Sequence, residues 1–202
     1  MDTFEAIEKR YSCRTYSDKK VSDTDLVNIL DAGIKAPTGG NLQPWNFIIV
    51  DNDNIKEDIV KASLNQRWMM QAPLFIIICG DSTSPKRFYK TRGELYLIQD
   101  CAAATENMLL AATSLGLKTC WVGAFDTSAI KRILRIPNHV EPYVIITLGY
   151  SKEDIPEKKR HNLNTFVYFN EYGNFDSGKE FFPLSKHTKE ISTFLDRIKK
   201  NP

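Results

Sequence analysis

Two short stretches of the chain carry residue types whose spacing suits specific chemistry. The first is Arg10-Tyr11-Ser12-Cys13-Arg14. In an extended chain, alternate side chains point to one side. Arg10, Ser12 and Arg14 then share a face, with successive Cα atoms roughly 6.6 Å apart. Two guanidinium forks and a hydroxyl suit a phosphate dianion, because Arg gives phosphate bidentate, charge-assisted bonds. The second stretch is Ala36-Pro37-Thr38-Gly39-Gly40-Asn41-Leu42-Gln43-Pro44-Trp45. Its prolines fix φ and stiffen the backbone. Its paired glycines let the backbone approach a ligand without a Cβ in the way. Asn41 and Gln43 offer primary amides, each with donors and an acceptor. Such a loop is suited to reading a planar heterocycle with alternating N–H and C=O groups. Taken singly, the first stretch would pass for a solvated basic turn and the second for an ordinary helix-to-strand connection.

The elements that must position these stretches follow from hydrophobic spacing. Phe4, Ile7 and Tyr11 mark a short amphipathic helix before the basic segment. A helix is predicted over 23–36, with Ser22 as N-cap, Asp25 at the capping-box position, and Leu26, Ile29, Leu30 and Ile34 as its buried stripe. A strand over 45–50 and a helix over 54–64 come next. Residues 74–79 are apolar on both faces and read as a central strand. The longest helix, 94–115, has two apolar stripes. One is Leu95, Ile98, Ala102, Thr105, Leu109 and Ala112, and the other is Leu97, Cys101, Ala104, Met108, Ala111 and Leu115. A helix apolar on two sides is largely buried. Strand 117–122, helix 126–134 and strand 143–149 complete the order. Helices and strands mix without strict βαβ repetition, so the expected class is α+β, a sheet flanked by helices.

The basic segment and the amide-rich loop, in this order, resemble the nitroreductase family of FMN-dependent oxidoreductases. Five further segments extend the resemblance: 65–73, Asn65 to Pro73; 99–112 in the long helix; Cys120-Trp121-Val122-Gly123-Ala124-Phe125; Pro142 to Tyr150; and Lys158-Lys159-Arg160. Together they cover about residues 4 to 160. The resemblance implies a nitroreductase-like fold with a central, mainly antiparallel sheet. It also implies a homodimer with the long helix at its core. Electrons would pass from NADH or NADPH through FMN to a nitroaromatic, a quinone or a similar small-molecule acceptor, in ping-pong order. It assigns Arg10 and Ser12 to the phosphate, with Tyr11 in the same cofactor-binding segment and Lys158 and Arg160 arriving from the tail. Arg14 would lie near the pyrimidine edge of the ring. Pro37, Thr38, Gly39, Asn41 and Gln43 would frame the ring from the partner chain. Asn65 would meet the ring's polar edge, and Val122, Gly123 and Ala124 would supply backbone amides. Relatives often carry Lys three residues after the equivalent of Asn65, and this chain has Trp68 there. That leaves Arg14 as the sole cation expected at that edge. Trp68 either narrows the substrate pocket or anchors the core. No side chain is required as acid, base or nucleophile, so no catalytic residue is assigned. The alternatives on the same reading are a flavin reductase or dehalogenase, or an FMN-binding sensor or store without turnover.

Composition agrees and excludes other classes. No G-x-G-x-x-G occurs, so a Rossmann nucleotide domain is not expected. The 202 residues carry a formal net charge of +2, which argues for neither nucleic acid nor a membrane surface as partner. The apolar run ending at Gly80 is too short to span a bilayer, and the acidic start lacks a signal-peptide core, so a cytoplasmic location is expected. Cys13, Cys79, Cys101 and Cys120 show no C-x-x-C spacing and read mainly as small buried hydrophobes. The three histidines are scattered, and no metal site is expected. Residues 1–162 read as one FMN-binding domain. Residues 163–202 read as a C-terminal arm whose aromatic cluster, Phe166 to Phe182, must bury against the partner subunit or its own domain.

Overall fold

The strand β2 (Leu74–Asp81) is buried along nearly its whole length. Its side chains alternate between two cores, which fixes the layering of the protein. Leu74, Ile76 and Ile78 face one core, with Ile29, Leu97, Cys101, Ala104 and Met108. Phe75, Ile77 and Cys79 face the other, with Ile59, Val60, Met69 and Ile130. Period-two alternation feeds both sides from one strand. The computed structural model describes residues 1–174.

β2 pairs antiparallel with β1 (Trp45–Val50) on one side and with β4 (Val140–Gly149) on the other, and β3 (Lys118–Val122) pairs antiparallel with β4. The strand order is β1-β2-β4-β3. The register of β2 against β4 shifts between Ile78 and Cys79, so that Cys79 opposes Pro142. Pro142 is tolerated there because it sits at the bulge, beyond the β3 pairing that ends at Ile145.

Helices α2 (Asp23–Ile34) and α5 (Gly93–Ser114) cover one face, and α3 (Asp53–Ala62) and α6 (Thr127–Leu134) cover the other. The Ser22 hydroxyl accepts from the Asp25 amide at 3.0 Å, as the cap motif predicts. Gly33 lets α2 press on α5, since a Cβ there would lie 2.2 Å from Met108 Cε. The second stripe of α5 is the buried one: Leu97, Cys101, Ala104 and Met108 are all inaccessible. The first begins in solvent, with Leu95 48% and Ile98 42% exposed. In α1 (Thr3–Lys9) the expected apolar face is also outward. Phe4 and Ile7 are exposed, and Ala6 makes the buried contact. Ile34, expected in the stripe of α2, is exposed as well.

The chain divides into two compact units, Met1–Ile155 and Pro156–Pro202. Within the second, a 3-10 turn spans Leu163–Thr165, and the rings of Tyr168 and Tyr172 lie 4.6 Å apart. The aromatics Phe175, Phe181 and Phe182 of the expected arm lie outside the described residues. Among the described residues, no helix is long and apolar enough to cross a membrane.

Candidate functional site

The helix α1 ends because Arg10 turns extended, at φ −62° and ψ 127°. From there the chain runs beside β3. Ser12 bridges Thr119 in parallel, and the Cys13 amide donates to the Thr119 carbonyl at 2.9 Å. The predicted alternation follows. Tyr11 and Cys13 are buried, and Ser12 and Arg14 are exposed. The ring of Tyr11 is packed into the core, with Lys118 Nζ 5.4 Å from its centroid. Its side chain therefore cannot share the face of Ser12 and Arg14, and only its backbone remains on offer. Arg10, Ser12 and Arg14 all lie near enough to Cys120 of β3 to act on its thiol. Burial pushes the Cys120 thiol above its usual pKa, against the pull of Arg14, a hydrogen bond with Ser12, and Arg10.

Two neighbours hold the arginines. Arg10 Nε lies 3.9 Å from Glu106 Oε1 on α5, with Glu106 half exposed. The Arg14 guanidinium stands over the indole of Trp68, 5.6 Å from the ring centroid. Trp68 also packs on the core beside Met69 and Met70. The packing matches the core-anchor reading of Trp68, and the contact with Arg14 is a further role for its ring.

Asn65 sits just before Trp68, in a turn where Leu64 and Asn65 both have positive φ, 55° and 53°. The turn is tied to the segment after β3. The Asp126 amide donates to the Ala62 carbonyl at 2.8 Å, and Gln66 Nε2 donates to the Ala124 carbonyl at 3.4 Å. Val122 turns its side chain into the core, while Gly123 and Ala124 are exposed. One side of the molecule thus gathers Arg10, Ser12, Arg14, Asn65, Trp68 and the 122–124 backbone. The cations and hydroxyl fit a phosphate or a ring that becomes anionic. The exposed amides fit the polar edge of a heterocycle.

The amide-rich loop lies elsewhere on α5. Thr38 Oγ1 donates to Asp100 Oδ2 at 2.8 Å and accepts from the Gln43 amide at 3.1 Å. The Gly39 amide donates to Asp100 Oδ1 at 3.1 Å. Gln43 Nε2 donates to Asn41 Oδ1 at 3.2 Å. Gly40, Asn41 and Gln43 all have positive φ, at 59°, 56° and 48°. Glycine is needed at position 40 for a second reason, since a Cβ would fall 2.2 Å from Tyr89 Oη. Pro37, Asn41 and Gln43 are exposed and Thr38 and Gly39 partly so, which leaves the loop open to a ligand.

Lys158 and Arg160 lie in the second unit, where Arg160 Nη1 donates to the Lys159 carbonyl at 3.1 Å. Asp100 and Glu106 were not singled out by sequence reasoning, although an acid at position 100 directly beside the buried stripe is a readable signal. Among the described residues, no cluster of His, Cys, Asp and Glu could hold a metal ion.

A family model described as "Nitroreductase family" matches residues 7–68 and 61–150. A protein of Methanothermobacter thermautotrophicus, provisionally named NADH dehydrogenase/NAD(P)H nitroreductase, is 38% identical over 158 residues, spanning 76% of this chain and 80% of that protein. The protein named FMN reductase (NADPH) of Bacillus subtilis is 21% identical, spanning 98% of this chain and 90% of its own. A crystal structure of a nitroreductase family protein from Clostridium difficile superposes with a TM-score of 0.74 at 32% identity, covering 85% of this chain and 99% of that one. The basic segment, the amide loop and the four-stranded antiparallel sheet all lie within the matched span, and the chain belongs to the nitroreductase family.

Proposed function

We propose that the chain is an NAD(P)H-dependent flavoprotein oxidoreductase that grips FMN between two copies of itself. The observation that carries the reading is the division of the donor set around α5. The basic segment meets α5 at Glu106, and the amide loop meets it at Asp100. Six residues of helix separate these positions by roughly 9 Å along the axis and about 120° around it. That spacing suits a ligand taking one segment from each chain. The exposed apolar residues Phe4, Leu95 and Ile98 on α1 and α5 support a partner copy there. The C-terminal arm over 163–202 would lie on that partner.

When bound, FMN supplies the redox chemistry, taking electrons from NADH or NADPH and giving them in ping-pong order to a nitroaromatic, quinone or similar acceptor. The protein supplies the grip and the field. Arg10 and Ser12 hold the phosphate. Arg14, braced by Trp68, sets a positive charge at the ring's polar edge and favours the more anionic reduced form. Asn65 and the 123–124 backbone offer amides to that edge. Pro37, Thr38, Gly39, Asn41 and Gln43 offer theirs from the partner copy. The four buried, unbridged thiols suit a reducing, cytoplasmic setting.

The test is direct. Purified protein mixed with FMN turns yellow and retains the colour through gel filtration, and NADH or NADPH bleaches it under argon. Protein that takes up no FMN ends the flavin reading. Yellow protein that neither nicotinamide bleaches is a binding protein without turnover. The B. subtilis relative named FMN reductase favours free flavin as a second candidate acceptor, which the same bleached protein would reduce when it is added.

A further inference from the structure

We infer that Asp100 is a positioning residue, whose carboxylate sets the shape of loop 38–43 and so aims its amides at the heterocycle. The inference rests on the flavin reading above. Asp100 is only 7% exposed, on a helix face beside Leu97, Cys101 and Ala104. A buried carboxylate is costly unless its oxygens are satisfied. Both are, and these donors come from the loop. The Thr38 hydroxyl gives to Oδ2 at 2.8 Å, and the Gly39 amide gives to Oδ1 at 3.1 Å and Oδ2 at 3.3 Å.

Two further bonds tie the loop together. The Thr38 hydroxyl, oriented by Asp100, accepts the Gln43 amide at 3.1 Å. The Gln43 side chain donates to the Asn41 side chain at 3.2 Å. The buried carboxyl is thus tied, through one hydroxyl, to the backbone of Gln43, whose side chain in turn holds that of Asn41. The loop needs such a hold. Asn41 and Gln43 both sit at positive φ, and for Gln43, unlike Asn, that conformation needs support from its surroundings. The Thr38 hydroxyl donates to the carboxylate and accepts from the Gln43 backbone amide, so those two bonds reinforce each other.

The experiment compares FMN with riboflavin, which carries the same ring without the phosphate. Asp100→Asn keeps the volume but replaces an accepting oxygen by a donor. It should weaken both ligands by the same factor, about ten- to a hundredfold. Arg10→Ala should weaken FMN alone. In flavin-free protein, amide hydrogen exchange should quicken at Gly39 and Gln43 and stay unchanged along α5 and the sheet. Riboflavin affinity within about twofold of wild type overturns the inference, as does a loss confined to FMN. Faster exchange throughout α5 also overturns it, since the carboxylate would then serve the fold. If Asp100→Asn does not fold, Thr38→Val removes the link between Asp100 and Gln43 and must show the same equal loss, and its absence is equally fatal. A wild type that binds neither flavin removes the proposed function instead, and the exchange measurement alone then decides whether Asp100 governs the loop.

Discussion

Gly40 is the residue at which a single methyl group should separate two costs. A Cβ there would lie 2.2 Å from Tyr89 Oη, and the next contact, Tyr89 Cζ, would be at 3.4 Å. Moving the Tyr89 ring aside would disturb its edge-on packing against Tyr96, whose centroid lies 4.9 Å away. Gly40 also has φ +59°. Placing alanine in that conformation costs about 1 kcal/mol. Forcing the methyl against the hydroxyl costs a further 1–3 kcal/mol or so by analogy with overpacked cores. Gly40→Ala should therefore destabilise the flavin-free protein by about 2–4 kcal/mol if the loop holds its place. Tyr89→Phe removes only the oxygen. Combined with Gly40→Ala, it should recover the steric part and leave the conformational part, about 1 kcal/mol. Urea unfolding followed by tryptophan fluorescence measures both, and a riboflavin titration of each variant shows whether the loop has moved. A Gly40→Ala protein within about 0.5 kcal/mol of wild type would refute the reasoning. So would a double variant no more stable than the single one.

Other outcomes follow from the same geometry. Arg10→Ala should cost roughly 1.5–3 kcal/mol of FMN affinity, measured by fluorescence quenching, and unchanged retention would remove Arg10 from the phosphate site. Arg14→Ala should slow bleaching by NADH or NADPH in stopped flow more than it weakens FMN retention, and the reverse order would deny Arg14 its place at the ring edge. Burial pushes the thiols of Cys79 and Cys101 from 9.0 up to about 12. A folded pKa above the unfolded one gives stability that is complete below pH 9 and fades as pH rises towards 12, so the urea midpoint should fall across that window. A flat midpoint would contradict it. A chain ending at residue 163 should lose dimer and flavin together, and a stable, yellow truncated dimer would argue against the arm.

The sequence made the layers readable wherever apolar spacing was unambiguous. The doubly apolar run of β2 announced a central strand, and β1 was bounded by Pro44 and Asp51. The basic segment could be read because alternation is a property of extended backbone alone. Other features depended on what lies opposite in space. The apolar pattern of Phe4 and Ile7 marks a surface that wants cover without saying which surface covers it, and among the described residues nothing covers it fully. The helix α4 (Thr83–Tyr89) went unpredicted because Thr-Ser-Pro-Lys-Arg-Phe-Tyr has no periodic stripe. Tyr11 looked like a member of the basic segment, yet the alternation that exposes Ser12 necessarily buries Tyr11. Asp100 stands out in sequence as an acid beside a buried stripe, but only the fold brings Thr38 and Gly39 to it.

The separation of the two grips on α5 has a genetic corollary. If each pocket borrows its cradle from the opposite protomer, a lesion in Arg10 and a lesion in Gly40 fall in different halves of every pocket. A mixed dimer carrying one lesion in each copy would concentrate both defects in a single pocket and leave the other wholly intact. Two impaired parents would then yield a mixed dimer with one native pocket of two.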